Sequence, residues 1–160
     1  VFIQRIRVLD SPGVKIQAIV FAALMLAFPA MASERSAAAR ALIVKAENDC
    51  KFEQGVFRVR PSAISRHDLN GDGKPDEIVD TAKFSCSTAA SLWGGSGGTY
   101  LYAVVNGKST EFLAHGWRLA DVGRQKVLLL SVHHSECGGG TGSCYRAYVW
   151  SDGEFRTTKP

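Results

Sequence analysis

The hydrophobic and polar positions divide the chain into three regimes. From Ile16 to Phe28 the residues are almost all apolar, with no polar stripe. From Ser33 to about Asn48 the chain is alanine-rich. Ala38, Leu42 and Ala46 or Val44 recur there at helical spacing behind Ser33 and Ser36, which predicts a helix that packs on a sheet. From Phe57 onward the apolar runs are short, rich in β-branched and aromatic residues, and bounded by Gly, Pro, Asn and Asp. Phe57 to Arg60 and Ala63 to His67 are predicted strands divided by Pro61, which cannot donate to a ladder. Glu77 to Phe84, Thr99 to Val105, Glu111 to Leu113, Trp117 to Val122, Lys126 to His133, Tyr145 to Trp150 and Glu154 to Thr157 follow as strands. Asn106-Gly107 and Asp152-Gly153 mark tight turns. Val127-Leu128-Leu129-Leu130 is continuously apolar, as in a strand covered on both faces, and predicts a central position. The expected class is mainly β (α+β), an antiparallel sheet with one N-terminal helix.

The first regime has the plan of a secretory signal covering residues 1–32. Lys15 precedes the apolar run and Ala30-Met31-Ala32 supplies a small-x-small cleavage site. Val14 is the better translation start, since the leader is complete from there. The apolar run is short for a bilayer span and polar sequence follows at once, so no retained membrane span is expected. Residues 33–160 then form a single domain of about 128 residues, enough to bury a core, in the periplasm or secreted.

Charge adds little. Of the formal net charge of +4, half belongs to Arg5, Arg7 and Lys15 against Asp10 in the leader. The remaining basic residues are scattered, and no nucleic-acid-binding pattern is present. A monomer is expected. Cys50, Cys86, Cys137 and Cys144 all follow the leader, and an even count in an oxidising compartment predicts two disulfides. Three connectivities are possible. Cys50–Cys86 with Cys137–Cys144 is preferred, because the second pair brackets a flexible glycine run. The alternative is a zinc site of Cys137, Cys144, His133 and His134, whose spacing fits no paired Cys-x-x-Cys pattern.

One stretch demands a particular chemistry. Asp68-Leu69-Asn70-Gly71-Asp72-Gly73-Lys74-Pro75-Asp76 places oxygen donors at its first, third, fifth and ninth positions and a glycine at its sixth, the spacing of a calcium loop. Asp68, Asn70, Asp72 and Asp76 are the expected side-chain ligands of Ca2+, with the Lys74 carbonyl as the backbone ligand. Three carboxylates crowded into nine residues repel one another unless a cation relieves them. The twelfth position, which carries a bidentate Glu in an EF-hand, is Val79. Glu77 and Asp80 are the nearby acids that could fill the gap, and a dissociation constant of about 10⁻⁴–10⁻³ M is expected. The competing reading is an Asx/Gly-rich hairpin turn with no ion.

The loop, followed by Glu77-Ile78-Val79, resembles the calcium loop of FG-GAP/VCBS repeats, the β-propeller modules of integrin heads and many bacterial secreted proteins. The likeness covers about a dozen residues and occurs once, whereas FG-GAP chains carry several copies. More broadly, the chain is similar to small secreted proteobacterial proteins with one such loop and a Gly/Cys-rich C-terminal half. That resemblance implies a compartment rather than an activity.

Two further groups carry side chains capable of chemistry. Gly94-Gly95-Ser96-Gly97-Gly98 matches a nucleophile elbow in letters only, since a strand and not a helix follows. His133, His134 and Glu136 are the one acid–base cluster outside the loop. On a continuing strand, His133 and Ser135 would face one way and His134 and Glu136 the other; His67 and His115 read as isolated. Asp80 falls on the strand face of Ile78, Ala82 and Phe84, which requires either partial exposure or a share in holding the ion. The function expected is an extracytoplasmic calcium-binding structural or binding module whose partner is an envelope protein or glycan. The alternative is a small secreted hydrolase, or an inhibitor of one, using the His133/His134/Glu136 region.

Overall fold

The structure is a computed structural model, and residues 34–139 and 144–157 are described. The leader, its cleavage site and the alternative start lie outside the described residues. Helix α1 spans Ala37–Phe52, starting and ending later than its composition suggested. Ser36 is the N-cap, its hydroxyl accepting the Ala39 N–H at 3.1 Å. The C-terminal extension carries i,i+4 ion pairs Lys45–Asp49 and Glu47–Lys51 on its outer side. Its inner stripe is Ala39, Ala46 and Cys50, with Leu42 and Ile43 half-buried and Val44 exposed.

Eleven strands follow among the described residues: β1 (Phe57–Val59), β2 (Ile64–His67), β3 (Asp76–Asp80), β4 (Phe84–Cys86), β5 (Gly94–Gly95), β6 (Gly98–Val105), β7 (Lys108–Ala114), β8 (Gly116–Val122), β9 (Gln125–Val132), β10 (Cys144–Ser151) and β11 (Glu154–Thr157). All pairings are antiparallel. One sheet runs β2-β3-β6-β5 with β7 also on β6, a second runs β11-β10-β9-β8, and β1 pairs β4. Both tight turns form where Asn-Gly and Asp-Gly predicted them. Asn106 and Gly107, and Asp152 and Gly153, all take positive φ, the geometry that matches strand twist in a two-residue hairpin.

The chain packs in three layers. Ile78, Leu101, Ala103 and Val105 on one face of the first sheet meet Leu128, Leu130 and Val132 of the second, with Trp117, Tyr148 and Phe155 packed around them. On the opposite face, Val79 and Tyr102 meet Ala39, Leu42, Ile43 and Ala46 of α1 and Phe57, Val59 and Phe84 of the small sheet. The strand buried on both faces is therefore β3, all five residues of it. The apolar run in β9 is not: Leu128 and Leu130 are buried, whereas Val127 and Leu129 are only half-buried because nothing covers their face fully. The predicted strand Glu77 to Phe84 is also interrupted. A 3-10 turn at Thr81–Lys83 ends β3, and the chain re-enters as β4 beside β1.

Both preferred disulfides are present. Cys50–Cys86 ties the last turn of α1 to β4, and Cys137–Cys144 joins the end of a 3-10 turn at His134–Cys137 to the start of β10. The zinc alternative is thereby excluded, since both of its thiols are in a disulfide. No described helix is long and apolar enough to cross a membrane.

Asp80 belongs to the packing between layers. It is buried, and its Oδ2 accepts the Trp117 indole N–H at 3.2 Å while Oδ1 accepts the Ala82 N–H at 2.9 Å. Neither partial exposure nor an ion is needed to account for it: the partner is an aromatic donor from β8. Replacing Trp117 by Phe keeps the ring and removes the donor, so the buried carboxylate loses a partner. A stability loss of about 1–3 kcal/mol in urea unfolding is expected. Trp93→Phe serves as the control, because the buried Trp93 indole N–H has no hydrogen-bond partner; equal losses in the two variants would show that the bond is not the cause.

Candidate functional site

The calcium-loop residues connect β2 to β3, leaving after His67 and returning at Asp76, which are opposite each other in the ladder. The turn is built by its own acids. Asp68 Oδ1 accepts the N–H groups of Gly71 at 2.7 Å and Asp72 at 3.2 Å, and Oδ2 that of Gly73 at 2.9 Å. Asn70 Oδ1 accepts the Asp72 N–H at 2.9 Å, and Asp72 Oδ1 the Lys74 N–H at 2.8 Å. Such Asx bonds hold a tight turn. They require Gly71 and Gly73 at φ of 80° and 81°, a conformation that side chains disfavour.

The five expected ligand positions therefore share one short loop, in graded exposure. Asp72 and Lys74 are exposed, Asp68 and Asn70 half-buried, and Asp76 buried. Asp76 Oδ2 accepts the Leu69 N–H at 2.9 Å. Burial raises the Asp76 pKa above the usual carboxylate range; the backbone N–H groups of Leu69, Asn106 and Asn70 pull it back, and the Asp72 charge pushes it up again. Donor capacity remains for an ion, because an ionised carboxylate offers about four lone-pair sites and those of Asp72 and Asp76 are only partly used. Among the described residues no three His, Cys, Asp or Glu side chains stand as a finished metal cage. An ion would have to draw these oxygens together.

Neither nearby acid completes the set. Glu77 is buried on the helix side, where Oε2 accepts the Ser36 N–H at 3.0 Å and Oε1 lies 3.5 Å from the Arg66 guanidinium. Asp80 is bound to Trp117, as above. Val79 is fully buried in the core against α1, so the twelfth position supplies nothing. The partners of Glu77 and Asp80 are long-range, and local spacing carried no sign of them.

A groove of about 380 Å³ lies between the edge strand β7 and the turn after β9, with Ser96, His133, Glu136, Arg146 and Tyr148 among its walls. Ser96 sits in the tight turn between β5 and β6, a hairpin and not an elbow. The strand ends at Val132, so His133, Ser135 and Glu136 do not alternate as a strand would have them. His133 instead caps the 3-10 turn, its Nδ1 lying 2.8 Å from Ser135 Oγ and accepting the Ser135 N–H at 3.3 Å. Glu136 is ion-paired with Arg146 at 2.8 Å. Ser96 and His133 share the groove, and among the described residues no hydrogen bond joins them. The other two histidines are not isolated. His67 stacks edge-on to Trp117 with ring centres 6.2 Å apart, its pKa lowered by burial and by the Lys126 charge, and His115 comes within 6.2 Å of His133.

Comparison with family models, with curated proteins and with solved structures found no match to the chain. The geometry of these two sites is thus what bears on function.

The Asp76 shift has a definite sign. With its folded-state pKa above the ordinary 3.8, the native state holds the proton more tightly than the unfolded chain. The associated stabilisation is complete below that ordinary value and is lost as pH rises through the higher folded-state pKa. In chelator, wild type should lose stability relative to Asp76→Asn across that rise, measured as the difference between their urea midpoints at successive pH values. A flat difference would show that Asp76 is not under this strain.

Proposed function

We propose that the protein is an extracytoplasmic calcium-binding module in which Asp68, Asn70, Asp72 and Asp76, with the Lys74 carbonyl, hold Ca2+ and stiffen the β2–β3 hairpin. The observation that carries this reading is Asp76. A buried carboxylate at the loop exit, raised in pKa by burial and by the like charge of Asp72, is held at a disadvantage that a bound cation would reverse. The resemblance to FG-GAP/VCBS loops points the same way. Two disulfides support the oxidising compartment, as does the leader read from the sequence. The partner is an envelope protein or glycan, and the groove beside β7 is one concave surface available to it.

The second reading, a small secreted hydrolase or hydrolase inhibitor, draws on the meeting of Ser96, His133 and Glu136 in one groove. Its chemistry is incomplete. A nucleophile needs its base within hydrogen-bond reach, whereas His133 is engaged by Ser135 and Glu136 by Arg146.

The thermal midpoint of the oxidised protein, in chelator and across a millimolar calcium series, tests the first reading. At ten to a hundred times the dissociation constant the ion should stabilise the fold by about 1.4–2.7 kcal/mol. Asp72→Ala should abolish the calcium response; in chelator a loss of about 0.5–1.5 kcal/mol is expected, because Asp72 Oδ1 accepts the Lys74 N–H within the turn. A midpoint indifferent to calcium would reduce the loop to a hairpin turn.

A further inference from the structure

Three of the four histidines meet on one patch of surface, although they come from separate places in the chain. His115 occupies the corner between β7 and β8, His133 follows the last residue of β9, and His134 opens the 3-10 turn. The corner is held against the end of β9 by the His115 N–H, which donates to the Ser131 carbonyl at 2.7 Å. The rings of His115 and His133 are 6.2 Å apart, centre to centre, and those of His133 and His134 are 3.9 Å apart. His115 and His134 are exposed and His133 is half-buried, so the patch is open to solvent.

We propose that His115, His133 and His134 form a surface site for a divalent first-row transition cation of the Cu2+ or Zn2+ kind, separate from the calcium loop. Imidazole suits these borderline cations, and Ca2+ takes oxygen ligands, so the two sites select different metals. The spacing agrees. A metal–nitrogen bond of about 2.0–2.1 Å puts each ring centre roughly 3 Å from the ion, so two rings sharing one ion lie at most about 6 Å apart. His115 and His133, 6.2 Å apart, stand just past that limit, so they would bind from opposite sides of the ion and their rings must close slightly on it. His134 lies too close to His133 for both to bind as they stand, and its exposed ring must turn; the site is completed on the ion.

The surroundings prepare His133 in particular. When an ion takes Nε2, Nδ1 carries the proton and donates to Ser135 Oγ, 2.8 Å away, in place of accepting the Ser135 N–H, and that bond restrains the ring, as outer partners of metal-bound histidines commonly do. The turn beneath is pinned by Cys137–Cys144 and by Arg146, whose guanidinium reaches both the carbonyl and the carboxylate of Glu136 at 2.8 Å. Glu136 is thereby committed to Arg146, which leaves imidazole nitrogens as the ligands.

The test is a Cu2+ titration of the oxidised full chain in excess Ca2+, read by calorimetry and by nitrogen hyperfine structure in electron paramagnetic resonance. His115→Ala, His133→Ala, His134→Ala and His67→Ala are run beside wild type, with near-ultraviolet circular dichroism confirming each fold. One equivalent of Cu2+ with nitrogen coupling is expected. Affinity should fall at least tenfold in each of the first three variants and stay unchanged in His67→Ala. Unchanged affinity in His115→Ala would overturn the proposal, since the ion would then need only sequence neighbours. Absence of saturable binding by Cu2+ or Zn2+ would overturn it outright.

Discussion

Three carboxylates on one fully buried strand govern where the rest of the chain goes. β3 reads Asp-Glu-Ile-Val-Asp, and all five residues are buried. An unpaired buried carboxylate costs several kcal/mol or gives up its charge, so each of the three needs donors from elsewhere. Asp76 takes them from its own loop and from the turn at Asn106. Glu77, facing the other way, takes the N–H of the helix N-cap Ser36 on Oε2, while Oε1 makes no hydrogen bond and is balanced by the Arg66 charge 3.5 Å away. Asp80 reaches the second sheet through Trp117. Alternation along the strand thus sends one acid to α1 and two toward the opposite face, and the three layers are joined at their middle by polar contacts of defined geometry rather than by apolar packing alone.

The periphery follows from that centre. α1 offers a narrow stripe of alanines, which lets it lie close to Val79 and Tyr102 but buries little area per turn. Its ends are fastened instead, by Glu77 at Ser36 and by the Cys50–Cys86 bridge at its last turn. Gly98 shows how tightly β6 and β7 close: a Cβ there would lie 2.3 Å from the Ala114 carbonyl carbon, and φ is +118°. Only glycine serves at both demands.

Much of this was legible in the sequence. The strands after Thr99, both two-residue hairpins, the helix and the disulfide pairing followed from local chemistry: alternation, Asn-Gly and Asp-Gly turns, and cysteines bracketing flexible chain. What failed was whatever depended on distant partners. β9 is central in its sheet, between β10 and β8, as its apolar run predicted, but it is not covered on both faces; the strand that is covered on both is the acidic β3. Satisfied carboxylates can be buried, and Val127 and Leu129 can remain half-exposed where a neighbouring layer stops. His115 gave no local sign of meeting His133, since the contact depends on how β8 pairs with β9. The Asx/Gly turn between β2 and β3 was legible from spacing alone, whereas the commitments of Glu77 and Asp80 were not.

Those commitments bear directly on how strongly the loop could hold an ion. Asp68 is already bonded by three backbone N–H groups, which shape the turn and also withdraw acceptor capacity. Asp76, in the protein, is drawn on in the same way by the N–H groups of Leu69, Asn106 and Asn70, so the carboxylate with most capacity left is Asp72, in solvent. The position that completes an EF-hand is Val79, whose side chain fills the core between β3 and α1. A Glu there would place a charge among Ala46, Phe84 and Tyr102 and not at the loop. If the loop holds Ca2+ as proposed, weak affinity would follow from the fold: the strand that carries the last ligand must also be buried on both faces. Binding suited to millimolar extracellular calcium, and not to cytosolic levels, is what such a loop can provide.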